Sequence, residues 1–120
     1  MCSSDLDAAG LLATALRSTR PSVLLYPKVC LNDTQLAAPW NSLGSCVTPG
    51  QARRVAGGDD LTLVSWGSTV GLCRQAAEVL GTAQVQCDVL DLRTLSPWDR
   101  DAVCESVRRD RKSTRLNSSH

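Results

Sequence analysis

Between residues 61 and 92 the chain runs apolar, then amphipathic, then apolar again, and few arrangements satisfy that order. "LTLVSW" (61–66) is nearly continuous in apolar side chains, as in strands that a parallel sheet buries on both faces. After Gly67-Ser68-Thr69, residues Val70, Cys73, Ala76, Ala77 and Leu80 recur at helical spacing. Arg74 and Glu78 are placed to pair on the helix surface, and Gly81 is the expected C-terminal cap. "AQVQCDVLDL" is then a second strand, with Val85, Cys87 and Val89 on one face. Two strands joined by a helix make a parallel β-α-β unit, because parallel neighbours need a crossover of about this length.

The second strand leads into "DVLDLRTLSPWDRD" (88–101), which breaks at Arg93-Thr94 and restarts around a proline. Ser96 can cap a helix, Pro97 suits its first position, and Asp99 stands where a capping-box acid reaches back. Trp98, Ala102, Val103 and Val107 would supply its buried stripe, with Arg100, Glu105 and Arg108 outside. Upstream, "DAAGLLATALRS" has Ala8, Leu11, Leu12, Ala15 and Leu16 on one face, with Asp7 as N-cap. Pro21 closes that helix, and "SVLLYPK" reads as a short buried strand ended by Pro27. Residues 29–50 lack pattern and predict a connector between domains, and "GGDD" (57–60) is turn chemistry.

Charge narrows the function classes. Thirteen basic residues face twelve acidic ones, scattered rather than clustered, so neither nucleic acid nor a membrane surface is an expected partner. No apolar run approaches a membrane span, and the expectation is a soluble, cytoplasmic protein. The six cysteines (2, 30, 46, 73, 87 and 104) form no C-x-x-C pair and have no histidine partner at ligand spacing, so no zinc is expected. Cys73, Cys87 and Cys104 fall on expected buried faces, where a free thiol acts as a small hydrophobe.

Both ends look foreign to the rest. "DRKSTRLNSSH" (110–120) resembles, along its whole length, one reading frame of a common sequencing-adapter oligonucleotide, and "CSSDL" (2–6) resembles a frame of the opposite strand. The expectation is a gene-derived segment from about Asp7 to Arg109, part of something longer, with residues 1–6 and 110–120 adapter-derived. The only histidine, His120, then carries no function, and the sequon at Asn117 has no meaning. The sequon at Asn32 would matter only in a secreted protein.

Candidate chemistry is sparse. Gly67-Ser68-Thr69-Val70-Gly71 stands where phosphates bind, between strand and helix, but it lacks both the G-x-G-x-x-G spacing and a Walker lysine. A tight turn is the better reading. Asp91 and Arg93 end a strand at the sheet's carboxyl edge. Alternation would put them on one face, as a structural or interface ion pair rather than catalytic groups. Asp99 and Asp101 read as acids complementing a helix dipole, and Lys28 as a solvated lysine. No nucleophile–base set, metal cluster or paired acid/base system emerges.

Three stretches carry a resemblance over nearly all of residues 7–109: "DAAGLLATALRSTRPSVLLYPK", "GQARRVAGGDDLTLVSWGSTVGLCRQAAEVL" and "CDVLDLRTLSPWDRDAVCESVRR". The last, with its D-L-R-T-L-x-P-x-D run, is the most specific. Together they resemble the β subunit of the first, thiamine diphosphate-dependent component of 2-oxoacid dehydrogenase complexes, or the β part of a fused α/β chain. Trp66-Gly67, Tyr26-Pro27-Lys28 and Pro97-Trp98-Asp99 look more like the branched-chain (2-oxoisovalerate) enzymes than the pyruvate enzymes.

The resemblance implies an α/β fold: residues 7–30 ending a pyrimidine-binding domain, 31–50 a linker, and 51–109 opening a transketolase-like C-terminal domain. It implies thiamine diphosphate with magnesium in the full-length enzyme, bound outside this segment, and no catalytic residue within it. It also implies an α subunit and a lipoyl acyltransferase as partners. Relatives hold a structural potassium ion in a stretch resembling A-I-R-D-x-N-P, which here reads Ala15-Leu16-Arg17-Ser18-Thr19-Arg20-Pro21. The carbonyls of Ala15 and Leu16 remain, but Ser18 and Arg20 replace the acid and the amide. The expectation is a lost ion site, with the Arg20 guanidinium standing in for the cation. The family's acid before Pro27 is Tyr26 here, which removes any ion pair at that position.

Overall fold

The computed structural model describes residues 5–34 and 47–110, with side chains from residue 7 onward. Cys2, Cys46, His120, the sequon at Asn117 and most of the expected connector lie outside the described residues. The order is α1 (Asp5–Arg17), a 3₁₀ turn (Lys28–Cys30), β1 (Arg53–Ala56), β2 (Leu61–Ser65), α2 (Thr69–Thr82), β3 (Cys87–Asp91) and α3 (Arg100–Arg109).

The three strands form one sheet in the order β1-β3-β2. β2 and β3 are parallel, in register from Leu61↔Cys87 to Ser65↔Asp91, so the expected β-α-β unit is present. β3 lies in the middle with all five residues buried. Its Val89 is wholly buried, and with Val70, Cys87, Leu90 and Leu92 it makes a small core. Burial of a valine side chain stabilises by about 1.5–3 kcal/mol, so this strand carries much of the apolar stabilisation.

α2 presents Val70, Cys73, Ala77 and Leu80 inward as expected, whereas Ala76 is exposed and Arg74 makes no ion pair with Glu78. Its end is a Schellman arrangement. Val85 N donates to Leu80 O and Gln84 N to Gly81 O, with Gln84 in the left-handed region at φ 62°. Gln84, not Gly81, holds the position that favours glycine.

Four expectations are corrected. Residues 22–28 form no strand: Val23 and Leu25 are exposed, and no described segment supplies the ladder an isolated strand needs. β1 was unexpected, because "RRVA" has no apolar alternation; it pairs antiparallel with β3 through Arg53↔Asp91 and Arg54↔Leu90. Asp7 is not a cap but sits within α1, its carboxylate turned to two arginines of the sheet region.

The fourth concerns α3, which begins at Arg100 rather than around Pro97, after a cis Ser96–Pro97 peptide. Asp99 is its N-cap: Oδ1 accepts from Ala102 N at 3.1 Å, and Oδ2 accepts from Ala52 N at 2.9 Å. That second bond ties the cap to the start of β1. Trp98 and Val107 are exposed, and the most buried residue of α3 is the polar Ser106.

The turn at 57–60 docks on the entry to β3. Asp60 N and Leu61 N both donate to Gln86 O, and Gln86 N donates to Asp60 Oδ2. Gly58 passes so close to the Gln86–Cys87 backbone that any Cβ there would overlap it. Among the described residues no helix is long and apolar enough to cross a membrane.

Candidate functional site

The carboxyl edge of the sheet, where β2 ends at Ser65 and β3 at Asp91, faces an open groove of about 1300 Å³. Its walls come from α1, residues 20–27, and the loops after β2 and β3. The loop after β2 is the turn the sequence suggests. Gly67 adopts φ 64°, which a side chain would strain, and accepts a bond from Val70 N, while Thr69 Oγ1 donates to Trp66 O at 2.6 Å. Ser68 precedes α2 without a side-chain cap.

The loop after β3 places the expected pair differently. Arg93 takes φ 57°, so alternation ends and its side chain leaves the Asp91 direction. Its guanidinium lies 3.4 Å (Nη1) from Asp7 Oδ1, and Nε and Nη2 donate to Gln51 O at 3.2 and 3.0 Å. Arg53 Nη1 holds the other Asp7 oxygen at 3.1 Å. Asp91 therefore meets Arg93 through the backbone: Arg93 N donates to Asp91 Oδ1 at 3.1 Å. The second oxygen, Oδ2, has no partner, and neither does Ser65 Oγ on the paired strand; both are buried. Burial raises the Asp91 pKa above the usual carboxylate range, against the opposing hydrogen bond from the Arg93 backbone N–H.

A second polar centre was not anticipated. Asp88, also wholly buried, lies 2.9 Å through Oδ1 from Arg54 Nε, and its Oδ2 accepts from Arg54 Nη2 at 3.0 Å and Arg109 Nη2 at 3.2 Å. Ser106 Oγ donates to the same oxygen and contacts Thr62 Oγ1 at 2.9 Å. Thr62 N donates to Asp110 Oδ2 at 2.9 Å, and Asp110 N closes the end of α3. The cluster joins all three strands to α3. One signal pointed to it: an acid inside the apolar run "CDVLD" requires buried partners.

The remaining candidates assemble no chemistry. Cys87 is a thiol whose pKa is raised by burial, then by Asp60 and Asp110, which disfavours the nucleophilic thiolate. Lys28 is exposed at the 3₁₀ turn, and Asp99 and Asp101 serve the start of α3. Among the described residues no three His, Cys, Asp or Glu side chains could hold a metal ion together.

The potassium-type stretch forms a turn held by its own backbone and the Ser18 side chain. Ala15 O already accepts from Ser18 N at 3.1 Å, Ser18 Oγ accepts from Arg20 N at 3.1 Å, and residues 16–20 are exposed. Arg20 engages this turn through its backbone, and no bond from its guanidinium to the Ala15 or Leu16 carbonyl accompanies it.

Comparison with known proteins gives the context for this frame. The family model described as transketolase, C-terminal domain, matches residues 50–117, more than half of the chain. The chain is 34% identical over 123 residues to the mitochondrial 2-oxoisovalerate dehydrogenase subunit beta of Dictyostelium discoideum, covering 98% of this chain and 31% of the relative. It is 32% identical over 110 residues to the pyruvate dehydrogenase E1 component subunit beta of Acholeplasma laidlawii, covering 92% and 33%. Among solved structures, a split gene transketolase described as an inactive beta4 tetramer aligns with a TM-score of 0.53 and 29% identity, over 54% of this chain and 22% of that one. The chain spans about a third of the length of the curated relatives it matches. With its parallel β2-α2-β3 unit and the match over residues 50–117, the chain belongs to the transketolase C-terminal domain family.

Proposed function

We propose that this chain is the scaffold segment of a 2-oxoacid dehydrogenase β subunit acting in oxidative decarboxylation of a branched-chain 2-oxo acid, with transfer of the acyl group to a lipoyl carrier. One observation carries the reading: relatives named as such β subunits align over 84–98% of the chain. In this reading residues 7–30 end the pyrimidine-binding domain, 31–50 link, and 51–109 open the C-terminal domain. The ion pairs from Asp7 to Arg53 and Arg93 would then tie the first of these pieces to the last.

Thiamine diphosphate with magnesium belongs to this reading but does not fit the described residues. The two glutamates, Glu78 and Glu105, are exposed on α2 and α3, and no three His, Cys, Asp or Glu side chains among the described residues could hold a metal together. The cofactor would bind elsewhere in the protein, against an α subunit or the α part of a fused chain, with a lipoyl acyltransferase as the downstream partner. The organic chemistry would be the cofactor's, and this segment's task would be to hold the subunit's frame.

Branched-chain substrates are favoured over pyruvate by Trp66-Gly67, Tyr26-Pro27-Lys28 and Pro97-Trp98-Asp99. The test is to recover the complete reading frame, co-produce it with its α partner, and compare turnover of 2-oxoisovalerate and pyruvate at equal concentration. A several-fold preference for 2-oxoisovalerate is expected. Preference for pyruvate would reassign the substrate, and a complete frame lacking a cofactor-binding glutamate and histidine would point instead to a non-catalytic α/β module.

A further inference from the structure

We infer that the groove at the carboxyl edge of β2 and β3 binds a medium-chain aliphatic carboxylate, a role that does not rest on the scaffold reading. The head lies toward Ser65 and the start of α2, and the chain runs along the apolar walls. Charge selects the head. Among the residues lining the groove, Arg20 and Arg93 are charged and none is acidic. Arg93 gives its donors to Asp7 and Gln51 O, whereas the Arg20 guanidinium bonds no other described residue. A concavity lined by one sign of charge concentrates ligands of the other.

A bare polar atom marks the floor. Ser65 lines the groove at 6% exposure, and its buried Oγ has no partner. Thr62, on the same strand, turns its Oγ1 to Ser106 of α3. Ser65, three residues on, therefore projects to the opposite face, where Leu11 and Ala15 of α1 form a wall of the groove. A hydroxyl in this state gains a hydrogen bond from a ligand oxygen without giving one up to the protein. Next to it begins α2, 14 residues long, and Ser68 at its start makes no side-chain cap bond. The amide groups of that first turn and the helix dipole both favour an anion.

The walls select the rest of the ligand. Leu24, Trp66 and Leu95 line the groove and are exposed, so apolar surface stands open beside the polar floor. Each methylene laid on such a wall tightens binding by up to about fourfold. Inorganic phosphate would leave these walls bare, and a cationic amphiphile would meet Arg20 with like charge. An anionic head on an aliphatic chain uses both.

The experiment titrates the full 120-residue chain with octanoate, 1-octanol and acetate, following tryptophan fluorescence and backbone amide shifts. Octanoate should bind at a single site that moves the amides of residues 65–69, about tenfold or more tighter than octanol, which lacks the charge, or acetate, which lacks the chain. Arg20→Gln, at an exposed position, should weaken octanoate about tenfold and leave octanol unchanged. Ser65→Ala should weaken octanoate several-fold, while the ligand-free variant melts no lower than the wild type because it loses only an unpaired hydroxyl. Equal affinity for octanol and octanoate, shifts centred on α3 instead of residues 65–69, or unchanged binding in Arg20→Gln would each overturn the inference. So would a concentration-dependent dimer that octanoate does not dissociate, which would assign the groove to a second copy of the chain.

Discussion

The Asp88 cluster predicts a non-additive pair of substitutions. Arg54 and Arg109 approach the same buried carboxylate from β1 and α3, and each is partly exposed, with side-chain accessibilities of 46% and 38%. Removing either arginine alone leaves Asp88 one cation and the Ser106 hydroxyl. Solvent screening at such exposure limits each single loss to about 0.5–1 kcal/mol. Removing both is different in kind, because the carboxylate stays buried with no cation at all, a situation that costs about 3–5 kcal/mol. Additivity would give about 1–2 kcal/mol for Arg54→Ala/Arg109→Ala, so the coupling should be about 2–3 kcal/mol. Urea unfolding followed by far-UV circular dichroism on the four proteins measures it. A double variant whose loss equals the sum of the singles, within about 0.5 kcal/mol, would show that Asp88 does not depend on its cations.

Three further substitutions test the frame. Gln84→Gly should stabilise by about 0.5–1 kcal/mol, because the left-handed φ of 62° at the end of α2 strains a side chain; a destabilised variant in the same urea assay would contradict the Schellman reading. Asp99→Ala should cost about 1.5–3 kcal/mol, since one side chain both caps α3 and holds Ala52 N; a loss under about 0.5 kcal/mol would mean neither bond matters. Gly58→Ala should cost about 1–3 kcal/mol through overlap with the Gln86–Cys87 backbone, seen as a lowered melting temperature; an unchanged melt would count against that close approach.

The sequence was most legible where one physical rule governs a whole segment. Cys87 to Asp91 is buried throughout because β3 is the middle strand, and Val70, Cys73, Ala77 and Leu80 keep helical period because α2 packs on β2 and β3. Legibility failed where side chains from distant segments decide the outcome. Arg53 and Arg54 look like surface residues, yet their partners are Asp7 and Asp88, 46 and 34 positions away, and no local pattern encodes such pairs. "SVLLYPK" has strand composition but no described strand beside it, so its backbone has no ladder to join. Asp91 and Arg93 were expected to share a face, and a single left-handed residue, Arg93 itself, undid the alternation that expectation rests on.

The two acids of β3 show how one strand can hold carboxylates in opposite electrostatic conditions. Three positions apart, they project to opposite faces of the sheet. Asp88 meets α3, whose last turn brings Arg109 and Ser106, and β1 adds Arg54 on the same side. Asp91 meets the α1 side, where Asp7 competes for both arginines within reach and takes their side chains. Burial is equally complete at both sites, so desolvation cannot distinguish them; the supply of cations does. Asp88 has two guanidinium partners and a hydroxyl, whereas Asp91 keeps one backbone N–H on Oδ1 and a bare Oδ2.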